Sequence, residues 1–342
     1  MSRKAWFFSL GCIHICSRVL VLRMLLALFI CSATIVSGRT IESDGLQYID
    51  LVTVANRLGF KSYWLADNKT FRLSAPNLVV DANAQSRKIY INGMPLYLGF
   101  PTLFSNNQIY LSVVDLNQTL LPLQNPRAFG DVPNCKRIAI DAGHGGKDHG
   151  ATNSSLGLSE KALSFDVARR LQQLLLKGGF EVVQTRREDV YIPLENRAIH
   201  AEQRSADLFI SIHFNAAESK EAYGYETFAL TPQFQASTRY TKIDANDAIS
   251  FDGNHQDPWN ILLAYFVQQN LVDHMGGPDR GIKRARFKVL KDLRCPGVLV
   301  ELGFLSHRSS AKRLLSKMHR QRLAQSLYDG IIAYQKRLRQ IQ

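Results

Sequence analysis

The feature that most constrains the fold of this chain is the succession of strand and helix patterns over residues 136–342. Short apolar runs of strand length are separated by longer stretches in which apolar residues recur at helical spacing. Strands joined through helices favour an α/β fold with a mostly parallel sheet flanked by helices. We predict strands at 137–141, 180–185, 207–213, 225–230 and 298–303, and helices at about 159–177, 195–204, 258–274 and 309–339.

Residues 45–125 have a different texture, with short apolar runs broken by Asn, Asp, Gly and Pro. A faint repeat, at residues 48–55 and 109–116, looks in both copies like a strand that runs into a short helix. We therefore predict a small α+β domain ahead of the larger one, with residues 126–135 as the linker. Within the small domain we predict strands at 70–73, 88–91 and 108–111, and a turn at Asn92-Gly93.

The pattern of residues 45–125 resembles the N-terminal domain of copper amine oxidases, which recurs as an accessory module in exported bacterial proteins. The resemblance implies a module for wall binding or for packing. The segment contains no cluster of His, Cys or acidic residues with the spacing of a metal site.

Basic residues are in excess, since 42 Lys and Arg stand against 29 Asp and Glu and give a net charge of +13. With 46% hydrophobic and 21% charged residues, the composition excludes collagen-like, disordered and polytopic membrane proteins. The positive charge predicts attraction to anionic surfaces, without saying which kind.

Residues 1–38 have the features of an export signal. They carry four basic residues and no acidic one, and an apolar core at 25–36 precedes the small residues Ser37 and Gly38. We therefore expect an exported protein of the periplasm or cell envelope. The alternative is a retained anchor, and an uncleaved signal is the one attachment to a membrane that we expect.

Three of the five cysteines, Cys12, Cys16 and Cys31, lie in the predicted signal. The other two, Cys135 and Cys295, each precede an acidic residue by six positions, with an apolar strand between. If their strands were neighbours, the two thiols could form a disulfide. If one strand lies between them, they are ~9.5 Å apart and cannot. We favour buried or free thiols.

Candidate catalytic residues stand where α/β folds place their chemistry, at the carboxyl ends of the strands. His144 follows the first strand, and His213 ends the third. Glu160 opens the first helix, and Glu301 lies in the last strand. Two imidazoles and a carboxylate are a common ligand set for catalytic zinc, and a further carboxylate can accept the proton of a water molecule. Taken singly, each residue is better explained as a hydrogen-bonded strand-end histidine, a helix-terminal acid or an ion-pair partner.

Four segments, in this order, resemble the zinc-dependent type-3 family of N-acetylmuramoyl-L-alanine amidases over about residues 136–336. They are Asp141-Ala142-Gly143-His144-Gly145-Gly146, Glu160, Ser211-Ile212-His213-Phe214-Asn215 and Val300-Glu301-Leu302-Gly303-Phe304. The resemblance implies a phosphorylase/hydrolase-like fold, with zinc held by His144, Glu160 and His213 and with Glu301 as the catalytic carboxylate. It also implies that the strand of His213 lies between the other two, against a Cys135–Cys295 disulfide.

The implied function is hydrolysis of the amide between N-acetylmuramic acid and L-alanine in peptidoglycan, for wall remodelling or daughter-cell separation. We expect Asn215 and Arg280 to contact the substrate. Peptidoglycan is the expected partner, and a protein activator is a further alternative. Nucleic acid is not expected, because the basic stretch at 279–291 contains a single aromatic residue, Phe287. For residues 231–260, which lack clear periodicity, the alternatives are a lid over the zinc and a substrate-binding loop.

Overall fold

The computed structural model describes residues 39–342. The predicted signal at 1–38, with its three cysteines, lies outside the described residues. In the described part of the chain, no helix has the length and apolar character needed to cross a membrane.

The strands of the N-terminal part are β1 (Thr40–Ser43), β2 (Leu46–Asp50), β3 (Lys61–Trp64), β4 (Thr70–Ala75), β5 (Leu78–Asn83), β6 (Lys88–Ile91), β7 (Met94–Tyr97), β8 (Leu103–Ser105) and β9 (Gln108–Ser112). Those that follow are β10 (Arg137–Ala142), β11 (Thr152–Asn153), β12 (Leu158–Ser159), β13 (Glu181–Gln184), β14 (Leu208–Asn215), β15 (Tyr225–Leu230), β16 (Asp279–Ala285) and β17 (Gly297–Phe304).

The α-helices are α1 (Leu51–Leu58), α2 (Val113–Asp115), α3 (Leu121–Gln124), α4 (Glu160–Lys177), α5 (Leu194–Gln203), α6 (Asp257–Met275), α7 (Lys288–Lys291), α8 (Arg308–Leu314) and α9 (Lys317–Ile341). The five strands predicted within 136–342 are confirmed, as are the first three helices, all within two residues at each end. The predicted repeat is also confirmed, since β2 runs into α1 and β9 runs into α2. In both copies a polar residue caps the helix, Asp50 in the first and Ser112 in the second.

Eleven strands form the main sheet, in the order β13-β10-β14-β17-β15-β16-β7-β6-β5-β4-β3. β13, β10, β14 and β17 are parallel, β15 is antiparallel to β17, and β3 to β7 form an antiparallel meander. The predicted α/β fold is confirmed. The sheet as a whole is mixed rather than mostly parallel, because the meander comes from the N-terminal part and β15 reverses direction.

The two predicted domains share this sheet through the pairing of β7 with β16, where Leu96 lies opposite Ile282. The contact needs a glycine at position 281, where φ is +77° and an added Cβ would lie 2.2 Å from the Pro95 carbonyl oxygen. β1, β2, β9 and β8 form a separate four-stranded sheet. The boundaries at 45–125 and 136–342 therefore stay a prediction from sequence.

Buried polar side chains also join the two parts. The guanidinium of Arg284 in β16 donates to the carbonyl oxygens of Gln118, at 2.7 Å, and Leu230, at 3.1 Å. The carboxylate of Asp115 accepts from the backbone N–H of Gly99, at 2.6 Å, and from Nε2 of Gln235, at 3.1 Å. These bonds tie the short helices after β9 to the part of the chain that follows β15.

Helices cover both faces of the parallel strands. On one face, α4, α6 and α9 pack together, and Leu171 and Leu327 lie in the same core as Ile140. On the other face, Leu290 of α7 lies in a second core with Ala139. Ile140 and Ala139 belong to different cores because successive strand residues point to opposite faces.

The predicted C-terminal helix at 309–339 is divided in the structure into α8 and α9. Ser316 caps α9 by accepting a hydrogen bond from the backbone N–H of His319 at 3.3 Å. Leu315 and Met318 fall at this break and are 50% and 76% exposed. α9 packs mainly against α4 and α6.

The direction of the strands decides where residues 231–260 lie. The carboxyl ends of β10, β14 and β17 meet at one edge of the sheet, whereas β15 runs the opposite way and ends at the other edge. Residues 231–260 begin there and remain there, since Asn254 binds the Thr231 carbonyl and Asn260 accepts from the N–H of Gly297, where β17 starts. They are therefore neither a lid over the predicted zinc site nor a loop beside it.

The strand order also shows that Cys135 and Cys295 do not lie on neighbouring strands. Cys135 precedes β10 and Cys295 precedes β17, and β14 lies between these two strands. Both thiols are free, as predicted.

Candidate metal centre and catalytic carboxylate

His144 lies in a tight turn directly after β10. Its own φ is +60°, a left-handed conformation between flexible glycines. Gly145 and Asp148 exchange two backbone hydrogen bonds of 3.0 and 3.1 Å, which bring the Asp148 carboxylate within 2.8 Å of His144 Nδ1. This contact leaves Nε2 of His144 to face the site. A carboxylate behind an imidazole is the arrangement that orients metal-bound histidines.

Buried polar contacts beneath this turn hold its carbonyl groups in place. Arg197 donates to the Ala142 and His144 carbonyls and pairs with Asp141 at 2.8 Å. Ser164 donates to the Gly143 carbonyl at 2.8 Å. The turn therefore rests on side chains from α4 and α5, and its geometry is set before any ligand binds.

Glu160 and His213 complete the cluster. Oε1 of Glu160 lies 3.0 Å from Nε2 of His144 and 2.8 Å from Nδ1 of His213. Backbone N–H groups fix the same carboxylate, from Phe214 to Oε1 at 3.1 Å and from Ala151 to Oε2 at 2.8 Å. Ser159, by contrast, makes no side-chain cap. Glu160 is therefore held by the turn, by β14 and by the two imidazoles, and is more than a helix-terminal acid.

The cluster fits a metal ion by its donor set and by its surroundings. One ligand atom from each of His144, Glu160 and His213 lies within 4.8 Å of the others. An added Cβ at Gly143 would lie 2.4 Å from the His213 ring, and one at Gly150 would lie 2.6 Å from Oε2 of Glu160. Any larger residue at these two positions would push the ligand side chains out of place. Two imidazoles with one carboxylate suit zinc, and leave room for a fourth ligand.

The two imidazoles of this cluster stabilise the charged form of Glu160. Burial by itself would raise the pKa of Glu160, but the contacts with His144 and His213 outweigh it and hold this pKa well below its usual range. Glu160 is therefore an anion at neutral pH, as a metal ligand must be.

Glu301 lies beside the cluster in the middle of the sheet. It is paired in register with His213 on β14 and with Glu226 on β15. Its Oε2 is buried and has no hydrogen-bond partner in the described part of the chain. Burial, followed by repulsion from Glu160 and Glu226, raises the pKa of Glu301 well above its usual value, and Lys283 offsets only part of this. A carboxylate with a raised pKa and a free oxygen is suited to accept and return a proton.

Asn215 and Arg280, expected to contact substrate, both bind Glu226, which was not among the residues predicted from the sequence. Glu226 is 3% exposed and accepts from Nδ2 of Asn215 at 2.8 Å, from Nε of Arg280 at 2.9 Å and from Nζ of Lys283. The signal for Glu226 was a lone acid within an apolar strand, and the signal for Lys283 was a basic residue directly before another, Arg284, in β16. The structure thus brings Asn215 and Arg280 to the same end of the sheet as Glu301.

Known proteins are similar to this chain in both of its parts. The profile of the N-acetylmuramoyl-L-alanine amidase family matches residues 138–333, and that of the copper amine oxidase N-terminal domain matches residues 34–121. Both resemblances seen in the sequence are confirmed.

Among curated relatives, the N-acetylmuramoyl-L-alanine amidase LytC of Bacillus subtilis is 28% identical over 320 residues, which cover 89% of this chain and 60% of LytC. The amidase AmiC of Escherichia coli is 31% identical over 243 residues, or 64% of this chain and 58% of AmiC. The chain thus spans about three fifths of the length of these two relatives.

Among solved structures, an N-acetylmuramoyl-L-alanine amidase from Clostridium difficile 630 is 30% identical, with a TM-score of 0.49 over 59% of this chain and 98% of that one. The family profile covers more than half of the chain and includes all three residues of the cluster and Glu301. The chain belongs to the N-acetylmuramoyl-L-alanine amidase family.

Proposed function

We propose that the protein is an exported zinc hydrolase that cleaves the amide bond between the lactyl group of N-acetylmuramic acid and L-alanine in peptidoglycan. The observation that carries this proposal is the convergence of His144, Glu160 and His213 beside a carboxylate, Glu301, that has an unpaired buried oxygen. Family membership supports the choice of substrate, and the α/β sheet is consistent with the phosphorylase/hydrolase-like fold that the resemblance implies. We propose wall remodelling or daughter-cell separation as the biological role.

His144, Glu160 and His213 would hold the zinc ion. Zinc in such a site supplies Lewis acidity to a substrate carbonyl and to a water molecule. The protein contributes an anionic carboxylate fixed by two backbone N–H groups and an imidazole oriented by Asp148. These contacts keep the ligand atoms in place without the metal, which lowers the cost of binding it.

Glu301 is the proposed proton carrier. Its free Oε2 accepts a proton from the attacking water and passes it to the departing nitrogen of L-alanine. The proton must be held briefly between these two steps. Burial and the nearby carboxylate of Glu226 raise the proton affinity of Glu301, which is what this task requires.

Arg280 and Asn215 are proposed to act at the substrate from fixed positions. Nε of Arg280 donates to the Glu226 carboxylate. Neither Nη atom of Arg280 has a hydrogen-bond acceptor among residues 39–342. The guanidinium lies 4.9 Å from the ring centroid of Phe304, which limits its movement. Arg280 therefore has donors left for a carbonyl or carboxylate of the substrate. Asn215 keeps its Oδ1 for an N–H of the substrate, since its bond to Glu226 uses Nδ2.

The N-terminal block, residues 45–125, is proposed to serve packing rather than wall binding. The shared sheet and the buried contacts of Arg284 and Asp115 support this choice. Export is proposed to depend on residues 1–38, and the need for a protein activator is an alternative that the digestion below also tests.

The test is digestion of purified peptidoglycan by the full-length protein, with mass spectrometry of the released products. We expect stem peptides with a free N-terminal L-alanine, and no release after chelation of the metal. Glu301→Gln should lower the rate by about 100-fold or more while zinc content stays unchanged. Glu195→Gln, at an exposed residue of α5, is the matched control and should act like the wild type.

Bound zinc with no release from any peptidoglycan, alone or with an extract of envelope proteins, would refute the amidase proposal and leave a wall-binding function. Release of stem peptides only when the extract is added to the protein would show that an activator is needed. Full activity of Glu301→Gln would refute the role of this residue.

A further inference from the structure

A cavity of about 780 Å³ is lined by segments that follow or precede residues of the candidate metal centre in the sequence, and it contains none of the residues assigned above. Three segments line it: residues 152–156 around the β11–β12 hairpin, residues 216–221 after β14, and residues 305–312 from the end of β17 into α8. Each segment lies within a few positions of a residue of the centre. We call this cavity the side groove.

Hydrogen bonds between the three segments hold the side groove in shape. Nδ2 of Asn153 donates to the Leu305 carbonyl at 2.9 Å, which joins the hairpin to the end of β17. The backbone N–H of Ala217 donates to Oγ of Ser306 at 3.0 Å, which joins the end of β14 to the same point. The segments that bind Glu160 through Ala151 and Phe214 therefore continue into the walls of the groove.

The side groove carries an excess of positive charge. Lys220, Arg308 and Lys312 line it, all three are exposed, and none has an ion pair within residues 39–342. Glu221 is the single acidic residue among its lining residues. By contrast, Lys283 near the centre is bound to a carboxylate. Three cations around one groove, free of partners, create an attractive potential for an anionic ligand.

One residue that lines the groove, His307, belongs to a stacked aromatic pair. Tyr223 stacks on His307, with ring centroids 4.4 Å apart and an interplanar angle of 9°. His307 itself lines the groove and is fixed at the start of α8, where it accepts from the N–H of Ser310 at 3.2 Å. The stacking and this hydrogen bond fix the position of the His307 ring in the lining of the groove.

We propose that the side groove binds the stem peptide of peptidoglycan through its free carboxylates, with Lys220, Arg308 and Lys312 as the residues that recognise them. The inference rests on the proposed function. Of the two parts of that substrate, the N-acetylated glycan is uncharged next to the scissile amide, whereas the peptide carries carboxylate groups. The positive groove therefore suits the peptide side, the leaving group of the reaction, and leaves the glycan to the rest of the rim.

The test compares two soluble muramoyl peptides of the same length, one with free side-chain and terminal carboxylates and one with these groups converted to carboxamides. The variant is Lys220→Ala/Arg308→Ala/Lys312→Ala. The matched control, Lys69→Ala/Arg169→Ala/Lys177→Ala, removes the same charge from exposed residues outside the groove. KM and kcat are measured for hydrolysis, and the affinity of the isolated, fluorescently labelled stem peptide is measured by anisotropy.

We expect the wild type and the control to prefer the carboxylate substrate by about tenfold in KM, with similar kcat, and to lose this preference as salt is raised. The groove variant should bind both substrates with the weaker KM and should no longer bind the labelled peptide. An unchanged preference in the groove variant would overturn the proposal. So would a variant that binds the peptide normally but loses affinity for polyphosphate, which would identify a phosphate polymer as the ligand.

The binding arm separates the two proposals. If the wild type binds the carboxylate peptide through the groove but cleaves neither substrate, the proposed amidase activity fails and the groove stands. If the wild type cleaves both substrates equally and does not bind the labelled stem peptide, the proposal for the side groove is refuted and the proposed amidase activity stands.

Discussion

Replacement of Arg284 by alanine tests whether the N-terminal block and the catalytic part fold as one unit. Arg284 lies in β16 and is 2% exposed. Its guanidinium donates to Gln118 on one side of the junction and to Leu230 on the other. Burial lowers the pKa of Arg284, and attraction to Asp257 and Asp115 opposes this effect.

The expected loss of stability follows from what the substitution leaves behind. The buried Leu230 carbonyl and the half-buried Gln118 carbonyl lose their donor, at about 1 kcal/mol each. The missing side chain also leaves a cavity, and two buried acids lose a nearby cation. Relief of the desolvation cost of the guanidinium offsets part of this. We expect the free energy of unfolding to fall by about 3 kcal/mol. The matched control is Arg294→Ala, since the side chain of Arg294 is 67% exposed and its ion pairs lie at the surface. This substitution should lower the free energy of unfolding by about 0.5 kcal/mol.

Tryptophan fluorescence can follow each part separately during urea unfolding. Trp64 lies in β3 of the N-terminal block and Trp259 in α6 of the catalytic part. In a Trp6→Phe background, Trp259→Phe leaves the first probe and Trp64→Phe leaves the second. The two probes should show one coincident transition, and Arg284→Ala should move both by the same amount.

Two separate transitions in the wild-type background would contradict a shared core. A shift confined to the Trp64 probe would mean that the N-terminal block is a dependent appendage, and a shift below 1 kcal/mol would mean that the buried contacts of Arg284 contribute little.

Three further predictions concern the site and its surroundings. Gly143→Ala should weaken zinc binding at least tenfold in zinc titrations, because the added methyl meets the His213 ring at 2.4 Å; an unchanged zinc affinity would contradict the importance of this close approach. Burial raises the pKa of Asp257 from 3.8 to about 7, so the wild type loses folding free energy as pH rises from about 4 to about 7. Asp257→Asn removes the titrating group and should not show this loss. Urea unfolding at pH 4 and pH 8 should therefore show that the stability of the variant relative to the wild type increases by about 2 kcal/mol or more. Glu226→Gln should cost about 3 kcal/mol in the free energy of unfolding, measured by the same method, because two cations lose a buried anion; a loss below 0.5 kcal/mol would contradict the importance of this cluster.

Much of the catalytic part could be predicted because its signals are local. Apolar periodicity located the strands and long helices, and the rule that parallel strands end at one edge brought His144, His213 and Glu301 together. Glu160 could be placed from the sequence as the first residue of a helix, but its two backbone donors could not. Those donors come from segments that meet only once the sheet has formed.

β16 was missed because its residues look like a charged loop. Its acidic and basic side chains each find a partner in the fold, Arg280 and Lys283 at Glu226 and Arg284 at carbonyl oxygens. Such partners are distant in sequence, so a pattern of charge and polarity cannot reveal them. Glu226 escaped notice for the same reason, as one acid within a strand that was recognised by its apolar neighbours.

The continuation of the sheet into the N-terminal block was also beyond the sequence. Strand order depends on which edges meet, and β7 pairs with β16 across almost two hundred residues of chain. The antiparallel pairing of β15 with β17 places residues 231–260 at the opposite edge from the site, and no local signal in the sequence indicates it.

The most direct test of the central claim is digestion of peptidoglycan in water enriched in oxygen-18, with the isotope located by mass spectrometry. The account predicts one heavy oxygen in the lactyl carboxylate of the muramic acid and none in the released peptide, whose L-alanine amine is free. Heavy oxygen in a new carboxylate of the peptide, or in a reducing sugar end, would show that a peptide or glycosidic bond is cut instead and would contradict the assignment of this site as an amidase.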